Sequence, residues 1–188
     1  MAAFDPAVKK LLKKEGGYVF DPNDRGGETK YGITKVSYPD LDIKNLTLQE
    51  AEAIYLRDYW NPIRLGLISD QAVAEFMLDT AANSGTGTAG KMLQKAANTL
   101  GARLVVDGAV GPLTVTAVNA LNAKALLSNM VSWRVKFYEN IVAKDASQKK
   151  FLKGWLARAK SFAPAGAGLA GIALAAIGLY LLSKRMAA

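Results

Sequence analysis

The chain has 188 residues, enough for one domain of about 150 residues with a real core plus an appendage. It has no cysteine and no histidine, which excludes disulfides, thiol nucleophiles, thiolate metal sites and any Ser-His-Asp or Cys-His hydrolase, so acid-base chemistry at neutral pH must come mainly from Asp and Glu. The net charge of +8 is local, because residues 1–145 carry 17 basic and 16 acidic side chains while residues 146–188 carry seven basic ones and no acid.

The first predicted element is the helix in "DPAVKKLLKKEGG", opened by Asp5 as N-cap with Pro6 at the first helical position and stopped by Gly16-Gly17. Glu15 closes it, with apolar residues at i−3, i−4 and i−7: Leu12, Leu11 and Val8. Lys9, Lys10, Lys13 and Lys14 take the wet side. Partial burial against leucines and the negative end of the helix both disfavour an anion at Glu15, and a neutral carboxylic acid is what a general acid must be. Most glutamates at helix ends are instead solvated and inert.

Glycines and the Asp-Pro-Asn-Asp run between Gly17 and Thr34 predict turns with a small hairpin. "LTLQEAEAIYLRDYWNP" opens with a capping box, Thr47 and Glu50, and runs apolar at Ala51, Ile54 and Tyr55 until Pro62. "SDQAVAEFMLDTAANSG" is a second such helix, with Val73, Phe76, Met77 and Thr80 on one face and Gly85 as its stop. "TAGKMLQKAANTLG" ends at Gly101, "GPLTVTAVNAL" begins with Pro112 at a first helical position, and "AKALLSNMVSWRVKFYENIVAK" is a longer helix. In the last of these and just beyond it, Trp133, Tyr138 and Trp155 have the spacing of core residues rather than of sugar platforms.

Residues 161–183, "SFAPAGAGLAGIALAAIGLYLLS", carry no charge, and as one helix they would be roughly 34 Å long at about 1.5 Å per residue, enough to cross a hydrocarbon core of about 30 Å. Lys149, Lys150, Lys153, Arg158 and Lys160 precede the run, and Lys184 and Arg185 follow it. Cations beside an apolar segment point to an anionic bilayer and away from nucleic acid, and the run is expected to be a membrane helix, with a buried core helix as the alternative. The opening "MAAFDPAVKKLLKKE" has no apolar h-region, so no cleavable secretion signal is visible.

"EGGYVFDPNDRGGETKYGIT", residues 15–34, resembles the opening of the glycoside hydrolase family 108 lysozymes, the group once called secretion activator proteins, whose motif reads E-G-G-Y, then D-P-x-D-x-G-G-x-T-x-Y-G-I. The resemblance continues in order through "RDYWNPIRLGLISD", "DTAANSG", "LVVDGAVGPLT" and "FLKGWLAR", and so covers about residues 5–160. It implies a mainly α, lysozyme-like helical domain over residues 1–160, with a small turn or hairpin region after the catalytic helix. Residues from about 90 to 160 resemble a peptidoglycan-binding part, and 161–188 would be a C-terminal transmembrane segment.

The implied activity is that of an N-acetylmuramidase cutting the β-1,4 bond between N-acetylmuramic acid and N-acetylglucosamine, without cofactor or metal, with Glu15 as catalytic acid. Glu15, Asp24 and Thr29 have the spacing E-x8-D-x4-T, one residue short in the second gap of the E-x8-D-x5-T triad of small phage lysozymes. Asp24 either organises water or the oxocarbenium-like charge, with Thr29 helping to hold the water, or only caps a turn. Tyr31 either lines the sugar cleft or packs in a strand. Asp79 and Asn83 could face the glycan, although Asn83-Ser84-Gly85 also reads as an ordinary helix ending.

With the basic, apolar C-terminal part, this suits a phage endolysin at the host inner membrane acting on periplasmic peptidoglycan. Two alternatives are a membrane-permeabilising protein with a non-catalytic peptidoglycan-binding module and a lytic transglycosylase. Glu15 separates the first of these, since a pure binder has no use for a proton-donating carboxyl.

Overall fold

The computed structural model describes residues 1–20 and 27–165, and the chain forms two compact units, Met1–Ala89 and Gly90–Ala188. Among the described residues the fold is mainly helical, as expected, with one small sheet.

In the first unit, α1 (Phe4–Leu12) packs its buried stripe, Ala7, Val8 and Leu11, against α3 (Gln71–Ser84). The helix starts earlier than the Asp5-Pro6 signal predicts, with Ala3 as N-cap and no side-chain cap of its own. A residue distant in sequence supplies the cap, because Ala3 N–H donates to Gln71 Oε1 at 2.8 Å and Gln71 Nε2 donates back to the Ala3 carbonyl at 3.0 Å. The helix also ends earlier, at Leu12, and two further backbone bonds, from Lys13 N–H to the Lys9 carbonyl at 3.2 Å and from Lys14 N–H to the Leu11 carbonyl at 2.9 Å, carry the turn up to Glu15. Two ion pairs join α1 and the residues just after it to α3: Lys10 Nζ to Glu75 at 2.6 Å and Lys14 Nζ to the buried Asp79 at 3.4 Å.

The expected hairpin is a three-stranded antiparallel meander of β1 (Val19–Phe20), β2 (Glu28–Lys30) and β3 (Ile33–Thr34), in which Val19 pairs with Thr29 and Lys30 with Ile33. The β2–β3 loop is the two residues Tyr31 and Gly32, with φ of +53° and +76°, so both take the positive φ that a type I′ hairpin turn requires. Next, α2 (Leu48–Tyr55) carries the predicted capping box, with Glu50 N–H donating to Thr47 Oγ1 at 3.2 Å and Thr47 N–H to Glu50 Oε2 at 2.8 Å. It ends in a π-helical turn, Leu56–Trp60, that buries Trp60 edge-on against Phe4 at 5.4 Å. α3 begins at the N-cap Asp70, buries Val73, Phe76, Met77 and Thr80 as their spacing predicts, and stops at Gly85 with φ of +83°.

The division between the units falls within α4 (Thr86–Thr99). In the second unit, Gln94 of α4 clasps the 107–109 turn: its Nε2 donates to Asp107 Oδ1 at 2.8 Å and to the Ala109 carbonyl at 3.0 Å, and its Oε1 accepts Gly108 N–H at 2.8 Å. The Gln94 amide, then the Ala109 N–H, hold the Asp107 carboxyl below the usual carboxylate range. α5 (Pro112–Asn119) has Pro112 in its first turn, and α6 (Ala123–Lys144) covers the predicted long helix in full, capped by Asn122.

Beyond α6, α7 (Lys149–Lys160) packs on α6 through rings stacked in series, Tyr138 on Trp155 at 5.2 Å and Trp155 on Phe151 at 5.7 Å. Of the aromatics assigned to the core, Tyr138 is buried, whereas Trp133 and Trp155 are half-buried. No helix of the described residues is long and apolar enough to cross a membrane. The expected membrane helix lies mostly outside them, but its first five residues form a turn that contains Pro164 and buries Phe162, so a helix running unbroken from Ser161 is not what the chain forms there.

Candidate active site

Gly16 and Gly17 release the chain from α1 and leave Glu15 half-buried at the wall of a cleft of about 420 Å³. α1 lines one side with Lys9 and Leu12, followed by Lys13. Tyr31 comes from the β2–β3 turn, and Leu48 and Glu52 come from α2. The size suits a sugar ring or two, and the lining combines apolar surface with two carboxylates and two ammonium groups.

Behind Glu15 the contacts are tight. A Cβ placed on Gly32 would stand 2.6 Å from the Tyr55 hydroxyl and 3.0 and 3.1 Å from Cγ and Cδ of Glu15. Real Cβ atoms do not make such contacts with a hydroxyl held in place, so position 32 admits glycine on space as well as on φ. The buried Tyr55 hydroxyl donates to the Tyr31 carbonyl at 2.9 Å. One ring thus fixes the turn whose two residues meet the cleft and the acid, and it holds Tyr31 in a conformation that non-glycine residues rarely adopt.

Of the residues singled out from sequence, Glu15 and Tyr31 meet in this cleft. Asp24 lies outside the described residues. Thr29 is the middle residue of β2, paired with Val19 and Thr34, and is not among the residues lining the cleft. Asp79 is 2% exposed, is bound to Lys14 and is not among the residues lining the cleft, so it anchors the chain just before Glu15. Asn83 Nδ2 donates to the Asp79 carbonyl at 3.0 Å within its own helix, which is the ordinary helix-ending role. No group of His, Cys, Asp and Glu that could hold a metal ion occurs among the described residues.

Lys9, Lys13, Gly32, Leu48, Glu52 and Tyr55 were not singled out by sequence as site residues. A signal existed for the α2 group, since Leu48, Glu52 and Tyr55 stand at i, i+4 and i+7 and so form one stripe of the helix.

Residues 8–85 match the family described as glycosyl hydrolase 108, and residues 88–160 match a family described as "Predicted Peptidoglycan domain". Among solved structures, "Structure of Brucella abortus SagA" is similar at 28% identity and a TM-score of 0.64, covering 87% of this chain and 97% of that one. No curated protein matches the sequence. The first match spans the whole lining of the cleft, and the second points to peptidoglycan as the polymer the chain engages.

Proposed function

We propose that this chain, a glycosyl hydrolase 108 region followed by a peptidoglycan-domain region, cuts the β-1,4 bond between N-acetylmuramic acid and N-acetylglucosamine with Glu15 as general acid. The observation that carries the reading is the cleft itself, in which a half-buried carboxyl stands between an aromatic ring and two helices and is backed by a rigid turn. Glu15 gives its proton to the leaving glycosidic oxygen as the bond to the muramic anomeric carbon breaks and oxocarbenium-like charge develops on the ring.

A second polar group then handles the water that completes hydrolysis. Asp24, with Thr29, is one candidate for that part by its place after Glu15, and Glu52, a second carboxylate in the same cleft, is the other. A module that only binds wall polymer has no use for this arrangement. Mass spectrometry of muropeptides released from purified sacculi tests the reading: reducing muramic ends support hydrolysis, 1,6-anhydro ends would replace it by lytic transglycosylation, and no release would remove catalysis altogether.

We further place the enzyme at the host inner membrane as an endolysin of phage type, acting on periplasmic peptidoglycan. The support is the sequence: α7 and its flanks carry Lys149, Lys150, Lys153, Arg158 and Lys160 with no acid, and an uncharged run follows.

A further inference from the structure

The four lysines at the end of α1 and just beyond it, alike in sequence, divide into two pairs in space. Lys10 and Lys14 are held by Glu75 and Asp79 of α3. Lys9 and Lys13 are joined by the backbone bond between their residues, stand one turn apart on the helix, and both line the Glu15 cleft. Neither has an acidic partner among the described residues, although ordinary α1–α3 packing supplies one to each of its neighbours. Two ammonium groups about 6 Å apart along the axis, turned into a cleft that also holds the reacting acid, are arranged to receive an anion carried by the substrate next to the bond being cut.

We propose that Lys9 and Lys13 form a carboxylate-reading subsite, which takes the negative charge carried by the lactyl ether of muramic acid, either directly or through its peptide. This rests on the glycosidase reading above and deepens it. N-acetylglucosamine has no such group, so the pair would separate peptidoglycan from neutral β-1,4 polymers of N-acetylglucosamine and would fix which sugar lies on which side of Glu15. The contact is partly exposed, so its contribution is modest and falls with salt.

The probe is a labelled glycan strand stripped of its peptides, which leaves free lactyl carboxylates, compared with the same strand after those carboxylates are coupled to methylamine. Binding is read in full-length Glu15→Gln protein, so the result does not depend on turnover, and kcat/KM is read separately in protein retaining Glu15. The charged strand should bind about fivefold more tightly at low salt, the difference closing near about 1 M salt. Adding Lys9→Met and Lys13→Met should abolish that preference, Lys9→Arg with Lys13→Arg should keep it, and Lys35→Met with Lys44→Met, exposed in the first unit but outside the cleft, should leave it intact. Equal affinity for the two strands, including no binding of either, overturns the subsite. So does a preference that survives the Met pair at positions 9 and 13, or one that the pair at 35 and 44 removes equally. A preference that follows the lysines while the protein with Glu15 cuts neither strand would uphold the subsite and sink the glycosidase reading.

Discussion

The hydroxyl of Tyr55 donates to the carbonyl of Tyr31 at 2.9 Å, and through this bond α2 holds the β2–β3 turn against Glu15. Tyr55→Phe removes the donor while keeping the ring in the core. Stability should fall by about 1–2 kcal/mol, the cost of leaving a partly buried carbonyl without its partner. The rate should fall by more than that loss implies, about tenfold in kcat with KM little changed, because the turn no longer fixes the acid. Gly32→Ala should be more damaging, since its Cβ must displace the hydroxyl and Glu15 together. Thermal melts beside kinetics on purified sacculi check both, and a Tyr55→Phe enzyme with full kcat would show that the turn needs no tether.

Glu15→Gln keeps size and hydrogen bonding but cannot donate a proton. Lysis of sacculi should drop by at least about 100-fold with the melting temperature unchanged. Near-normal lysis would end the assignment. The same assay separates the two candidates for the second role: whichever of Asp24→Asn and Glu52→Gln costs activity without costing stability handles the water, and a silent Asp24→Asn leaves Asp24 as a turn cap.

Acid and alkaline stability should both depend on the Tyr38–Asp58 contact, which joins the loop after β3 to the π-helical turn. The Arg57 guanidinium beside Asp58, at 2.7 Å, and then the Tyr38 hydroxyl, at 2.9 Å, hold its carboxyl below the usual carboxylate range. A carboxyl lowered on folding stabilises above its ordinary value near about 4, and the contribution is lost as pH falls through the lowered folded value. Tyr38 is pushed the other way, by burial first and then by Tyr59 and Asp58 beside it, so its contribution is complete below about pH 10 and fades as pH rises beyond. Urea midpoints across pH should therefore decline at both extremes. Asp58→Asn should flatten the acid limb, and Tyr38→Phe should flatten the alkaline limb while weakening the acid one.

Gly90 packs so closely on the 107–109 turn that an added Cβ would run into the Gly108 carbonyl oxygen, with backbone on both sides and no flexible side chain to yield. Gly90→Ala should destabilise the second unit by about 3 kcal/mol, the upper range for overpacking. Differential scanning calorimetry would register it as a lower melting temperature, and an unchanged melt would mean that the turn moves aside at little cost.

Local signals in the sequence recovered the helices that carry their own caps. Thr47 with Glu50, and Pro112 at the start of its helix, act on neighbours a few residues away, so spacing alone exposes them, whereas the caps Asp70 and Asn122 emerge from the structure. The start of α1 differs from the Asp5-Pro6 signal because its cap, Gln71, is distant in sequence. Glu15 was legible from a specific motif, but its surroundings were not: nothing local shows that Tyr31 takes positive φ, that Tyr55 reaches its carbonyl, or which lysines of "KKLLKK" meet α3. The surroundings of Asp79 are hidden for the same reason. Nothing in the sequence around it shows that the carboxylate is buried, and only the packing of α1 on α3 brings Lys14 to it.

The apolar C-terminal run should confer bilayer binding, and Phe162 sets where it can be cut. Ala159 and Phe162 are buried in the second unit, so truncation before Ser161 would open its core. A chain ending at Ala165 keeps both residues and removes only what lies beyond the turn. That shortened protein should melt like the full chain and digest isolated sacculi at the same rate, because none of the cleft residues is touched. Full-length protein should sediment with anionic liposomes at low salt. The shortened one should remain largely in the supernatant, keeping only the weak, salt-sensitive attraction of the α7 cations. Liposome binding that survives truncation would assign the contact to α7 alone. If the full chain ignores liposomes, or if the shortened chain unfolds, the run belongs to the protein's core and the membrane placement fails.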